Sequence, residues 1–119
     1  NQKRLNRITT NDLKIESHAL KTYAFCSDTA YNENIIPLIK SVDLLYHDAT
    51  FLDLHENLAK RTKHSTAKQA AKIAKLAEVK KLVLGHFSSR YKHKKQFLSE
   101  SKLLFHEVEL ASDGKVIEI

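Results

Sequence analysis

The 119-residue sequence has no methionine or tryptophan, one cysteine, one proline and two glycines. A lone thiol, Cys26, can build neither an internal disulfide framework nor a cysteine-based zinc site. Such sparing use of cysteine fits a reducing compartment such as the cytoplasm. With Gly and Pro so scarce there is no Gly/Ser or polyproline linker, and residues 1–119 read as one unit. No apolar run approaches the ~20 residues needed to span a bilayer, so no membrane contact is expected. The basic opening Asn1–Thr10 has no apolar stretch behind it and does not read as a signal peptide. A chain that begins at Asn1 and contains no Met reads as an internal or trimmed segment.

Against these absences, 42% of the residues are hydrophobic, enough for a packed core and too many for a disordered chain. The formal net charge is +6, an excess that favours polyanions such as nucleic acid or an acidic membrane surface; from charge alone an ordinary soluble basic protein is the preferred reading.

The pattern of elements alternates. Thr22–Ser27 is a short β-type run ending at Asp28, and Asn34–Lys40 is a short helix candidate in which Pro37 is tolerable only in the first turn. Asp43–His47 reads as a buried strand and Asp53–Lys60 as a short helix or turn. From Thr66 to about Glu78 runs the clearest helix: Ala70, Ile73, Ala74 and Ala77 keep the apolar i, i+3, i+4, i+7 spacing, and Thr66 and Gln69 have the spacing of a capping box. Lys81–Phe87 reads as a strand and Lys94–Phe105 as a second amphipathic helix. Glu107–Ala111 and Lys115–Ile119 flank Ser112-Asp113-Gly114 as a hairpin. The expectation is an α/β fold with a mixed β-sheet and flanking helices.

Ligands in such sheets gather beyond the carboxyl ends of strands, and the polar residues fall there. Asp28 follows the first apolar run; its two oxygens can reach two divalent ions, or it can cap the next turn. His86 follows Leu82–Gly85 and carries the commonest neutral zinc-binding group, although a lone strand-end His more often makes an ordinary hydrogen bond. His64 stands before Ser65 and Thr66 at a helix start, where a docked phosphate would favour its protonated form and make it a proton donor. Asp48 can orient His64, or simply end a strand. Ser88 and Arg90, after His86, suit phosphate binding, with Arg able to bind in bidentate fashion. Cys26 reads as a small core residue.

Four segments, in order, resemble the ribonuclease Z family, the tRNA 3′-processing endonucleases of the metallo-β-lactamase superfamily. They are Tyr23-Ala24-Phe25-Cys26-Ser27-Asp28-Thr29-Ala30-Tyr31-Asn32, Asp43-Leu44-Leu45-Tyr46-His47-Asp48-Ala49-Thr50-Phe51, His64-Ser65-Thr66-Ala67, and Gly85-His86-Phe87-Ser88-Ser89-Arg90-Tyr91. Residues 1–21 match less clearly, and Asp48 stands where the family usually has Glu. The resemblance implies the carboxy-terminal half of an αββα sandwich. It implies that Asp28 bridges two zinc ions and His86 binds one of them, with the remaining ligands outside this chain. It implies that His64 and Asp48 form the proton-donating pair while Ser65, Thr66, Ser88 and Arg90 lie along the substrate phosphate. The expected activity is removal of the 3′ trailer of precursor tRNA through attack by a metal-activated hydroxide, in a cytoplasmic homodimer. The alternatives are another hydrolase of the same superfamily or a non-catalytic basic RNA-binding segment.

Overall fold

The computed structural model describes residues 6–10, 13–18 and 21–112. Six strands form one sheet in the order β1 (Asn6–Thr10), β2 (Leu13–His18), β3 (Lys21–Cys26), β4 (Leu44–Asp48), β5 (Lys81–Gly85) and β6 (Val108–Leu110). β1, β2 and β3 pair antiparallel; β3 to β6 pair parallel. The helices α1 (Glu56–Thr62), α2 (Ala67–Ala77) and α3 (Lys95–Ser101) lie in the crossovers between the parallel strands. This is the mixed α/β sheet expected from the alternating pattern.

The register explains the core. Ala24, Leu45, Leu82 and Val108 align across the four parallel strands, and Cys26, His47, Leu84 and Leu110 align one layer on. Side chains two apart in a strand share a face, so these two rows form one apolar surface. Against it packs α2, which buries Ala67, Ala70, Ala71, Ile73, Ala74 and Ala77. The small alanines let the helix approach closely, and Phe97 of α3 completes the layer, fully buried. The other face of the sheet carries Tyr23, Phe25, Leu44, Tyr46 and Val83. A Cβ at Gly85 would collide with the Tyr46 ring, which lies across that glycine. The close approach that Gly85 permits is therefore that of an aromatic ring.

The capping box forms as its spacing predicts: Gln69 N–H donates to Thr66 Oγ1 at 3.1 Å, and Thr66 N–H donates to Gln69 Oε1 at 3.0 Å. Other boundaries differ. The expected helix at Asn34–Lys40 is a 3₁₀ segment, Glu33–Leu38, with Pro37 well past its first turn. Proline supplies no N–H there, and the tighter winding holds only over this short stretch. α3 stops at Ser101, whose hydroxyl bonds back to the carbonyl of Phe97 at 2.8 Å, and turns carry the chain on to Phe105. Strand β6 lies parallel to β5, while the proposed return strand Lys115–Ile119 and the turn residues Asp113-Gly114 fall outside the described residues. The β1–β2 pair was not anticipated; its signal is the alternation of Leu13 and Ile15 with Lys14 and Glu16.

Candidate active site

The chain reverses sharply where β3 and β5 end. Asp28 has φ 56° and His86 φ 66°, both left-handed, a conformation uncommon outside glycine and found disproportionately at functional positions. Both side chains are exposed at the same edge of the sheet, the carboxyl ends of the parallel strands.

Between them the segment after β4 is pinned on both sides. Ala49 N–H donates to Gly85 O at 2.9 Å, Ser88 N–H to Thr50 O at 3.0 Å, and Ala67 N–H to Phe51 O at 3.0 Å. These bonds draw His64 and His86 towards Asp48. One ligand atom from each of Asp28, Asp48, His64 and His86 lies within 4.8 Å of the others. The His64 and His86 rings stack with centroids 5.1 Å apart.

Asp48 is completely buried. Its Oδ1 accepts from Thr50 N–H at 2.9 Å and Thr50 Oγ1–H at 2.7 Å, with Ser65 N–H at the longer distance of 3.5 Å. Its Oδ2 accepts from Thr29 N–H at 2.9 Å and meets His64 Nδ1 at 2.8 Å. A carboxylate surrounded by donors is an ionised acceptor with its lone pairs engaged; it has no oxygen to spare for a metal. Although Asp is one methylene shorter than Glu, it reaches His64 at full hydrogen-bond contact. That bond uses the Nδ1 proton of His64 and leaves its Nε2 outward. Asp28 is the opposite case: its side chain is 62% exposed, and its Oδ1 lies 3.5 Å from His64 Nδ1.

Ser88 is half-buried and accepts at Oγ from Arg90 N–H at 3.3 Å. The exposed Arg90 guanidinium sits 5.7 Å from the centre of the Phe51 ring, and that ring meets His64 edge-on at 6.2 Å. The guanidinium is thus carried towards the cluster on an aromatic platform.

Ser65 and Thr66, expected along the substrate phosphate, turn their hydroxyls to acceptors within the protein. Both are fully buried, Ser65 Oγ donating to Thr29 O at 2.6 Å and Thr66 Oγ1 to Asp53 Oδ1 at 3.2 Å. The Lys68 amide at the start of α2 is also taken: the Glu100 carboxylate accepts from it at 2.8 Å, and from Asp53 N–H, outside that helix, at 2.9 Å. A protein carboxylate occupies the anion position of this helix N-terminus. Burial raises the pKa of Glu100, against the lowering effect of those two amides.

Sequence reasoning passed over three residues that the fold brings to this edge. Thr50 bonds both Asp48 and, at 3.0 Å, His86 Nδ1. Tyr91 accepts at its hydroxyl from Leu52 N–H at 3.0 Å and contacts His55 Nδ1. Thr50 could have been suspected as the one polar residue of Asp48-Ala49-Thr50 left without a role; His55 and Tyr91 are distant in sequence and carried no such signal.

A mixed sheet with carboxylate and imidazole groups gathered at the ends of its parallel strands defines the class. Residues 6–87 match the model of the beta-lactamase superfamily domain, and the chain belongs to that superfamily. The curated relatives it matches include ribonuclease Z proteins. That of Cytophaga hutchinsonii is 52% identical over 94 residues, 79% of this chain and 30% of the relative. That of Azobacteroides pseudotrichonymphae is 44% identical over 126 residues, covering 100% of this chain and 44% of the relative. Among solved structures, human short-form tRNase Z superposes with a TM-score of 0.72 at 30% identity, over 97% of this chain and 40% of that protein. The chain therefore spans less than half the length of the relatives it matches.

Proposed function

We propose that the protein to which this chain belongs is a zinc-dependent endoribonuclease that removes the 3′ trailer of precursor tRNA. The observation that carries this reading is the division of labour within one cluster. Asp48 is buried and saturated, and it holds His64 at 2.8 Å; Asp28 and His86 stand exposed beside it with donor atoms to spare.

The donor set fits a divalent cation, since carboxylate and imidazole are both zinc ligands. Asp28 would serve two ions through its two oxygens, and His86 one of them through Nε2. Zinc takes three or four protein ligands, so the others are expected from the part of the relatives' length that this chain does not span. Bound zinc supplies Lewis-acid activation of water and neutralises charge on the phosphoryl oxygens. His64, held through Nδ1, presents Nε2 as the atom that protonates the departing 3′ oxygen. Asp48 positions that ring. Arg90 and Ser88 would grip a phosphate beside the scissile bond.

By the same likeness, a cytoplasmic homodimer is the expected working form. Among the described residues no helix is long and apolar enough to cross a membrane.

The test is incubation of the full-length protein with a precursor tRNA carrying a 3′ trailer, before and after chelation and with zinc restored. Trailer release that chelation abolishes and zinc recovers is expected. Tight binding of the precursor without cleavage, whatever divalent metal is added, would favour a non-catalytic RNA-binding role.

A further inference from the structure

The hydroxyl of Thr50 stands between the buried carboxylate and the second imidazole. Thr50 is 7% exposed, with Oγ1 2.7 Å from Asp48 Oδ1 and 3.0 Å from His86 Nδ1. A hydroxyl has one proton to give and lone pairs to receive. An ionised carboxylate can only accept, so the Thr50 proton goes to Asp48. The contact with His86 must then run the other way, with Nδ1–H donating to Thr50 Oγ1. His86 is thereby held as its Nδ1–H tautomer, and the lone pair falls on Nε2, the atom facing away from Thr50.

We infer that Thr50 is a positioning residue that relays the charge of Asp48 to His86, fixing the tautomer and orientation in which His86 can bind a metal. One carboxylate then organises both imidazoles, His64 directly through Oδ2 and His86 through the Thr50 hydroxyl on Oδ1. The relay accounts for two further features. Asp48 is wholly buried, with both oxygens engaged by Thr29, Thr50 and His64. His86 also has a left-handed backbone, and its ring meets Thr50 in the segment after β4. The hydrogen bond to a metal-ligating His that carboxylates and carbonyls usually accept is here accepted by a hydroxyl, itself polarised by the carboxylate behind it. This inference rests on the reading of His86 as a metal ligand, and its first readout needs no metal.

The experiment compares Thr50→Val, Thr50→Ser and His86→Ala in the full-length protein. Valine keeps the shape and loses the hydroxyl, whereas serine keeps the hydroxyl and loses a methyl, so a hydrogen-bonding role and a packing role predict opposite orders. In the metal-free protein, ¹⁵N-resolved imidazole spectra should show His86 as the Nδ1–H tautomer in wild type and Thr50→Ser, and mixed or Nε2–H in Thr50→Val. Zinc affinity, measured by competition with a chelating dye, should fall about 10–100-fold in Thr50→Val and stay near wild type in Thr50→Ser. An unchanged tautomer and affinity in Thr50→Val, or a loss in Thr50→Ser matching that in Thr50→Val, overturns the relay. If His86→Ala lowers zinc affinity while Thr50→Val does not, the relay alone fails. If His86→Ala leaves zinc affinity intact, the ligand assignment and the relay fall together.

Discussion

Replacing Asp48 with Asn keeps the shape of the side chain and removes its charge, and the geometry allows the cost to be worked out. Thr50 N–H and Thr50 Oγ1–H address one oxygen, while Thr29 N–H and His64 Nδ1 address the other. An amide has one oxygen. Whichever way it is turned, its NH₂ faces two donors in a site with no solvent exposure. A buried donor left without an acceptor costs ~1–3 kcal/mol. Rotation of the Thr50 hydroxyl recovers part of that in one orientation, so the net loss for Asp48→Asn should be about 2–5 kcal/mol. The comparator is Asp28→Asn, whose side chain is 62% exposed and whose stability should stay within about 0.5 kcal/mol of wild type. The assay is urea unfolding of the full-length protein at neutral pH without added metal. Equal stabilities for the two Asn variants would refute the view that Asp48 is a saturated structural acceptor and Asp28 an available one.

Gly85→Ala should cost about 1–3 kcal/mol through collision with the Tyr46 ring. The cost should shrink in a Tyr46→Ala background, and a thermodynamic cycle by chemical denaturation checks it. His47 is buried with Nδ1 at the Asp48 carbonyl and Nε2 without a partner among the described residues, and burial lowers its pKa below the ordinary 6.5. In the interval between its folded and unfolded pKa values, the unfolded chain binds the proton and the native state does not. The His47 contribution is therefore complete above about pH 6.5 and is lost as pH falls below it. Unfolding free energies measured from pH 7.5 downward should decline less steeply in His47→Leu than in wild type; parallel curves would show that His47 is not the group responsible. Burial pushes the Cys26 thiol up to about 12, so a thiol reagent should label it only at the rate of unfolding, read as labelling that accelerates in step with added urea.

The α2 helix and its cap were legible because alanine spacing and a Thr-x-x-Gln pattern are local signals, and locally formed hydrogen bonds realise them. The strands β3, β4 and β5 were legible as short apolar runs, and the polar residues at their ends were legible as a group because strand ends converge. The β1–β2 pair was harder: its alternation covers only Leu13 to Glu16, and pairing across strands leaves no mark in either strand alone. The fate of Ser65 and Thr66 could not be read either. Their hydroxyls face inward because Thr29 and Asp53, both distant in sequence, supply acceptors there. The anion at the start of α2 comes from Glu100, 32 residues beyond Lys68. Thr50 illustrates the same limit at the site itself, since its partner His86 lies 36 residues away.

The central claim is that His64 moves a proton and holds no metal, while Asp28 and His86 hold the metal. It is tested most directly by one comparison on full-length protein: single-turnover cleavage of a precursor tRNA by wild type and His64→Ala at saturating enzyme, with bound zinc determined on the same preparations. A positioned acid contributes ~10²–10⁴-fold to rate, so cleavage by His64→Ala should slow by about that factor while its zinc content matches wild type. Loss of zinc in step with loss of activity would contradict the claim and make His64 a ligand.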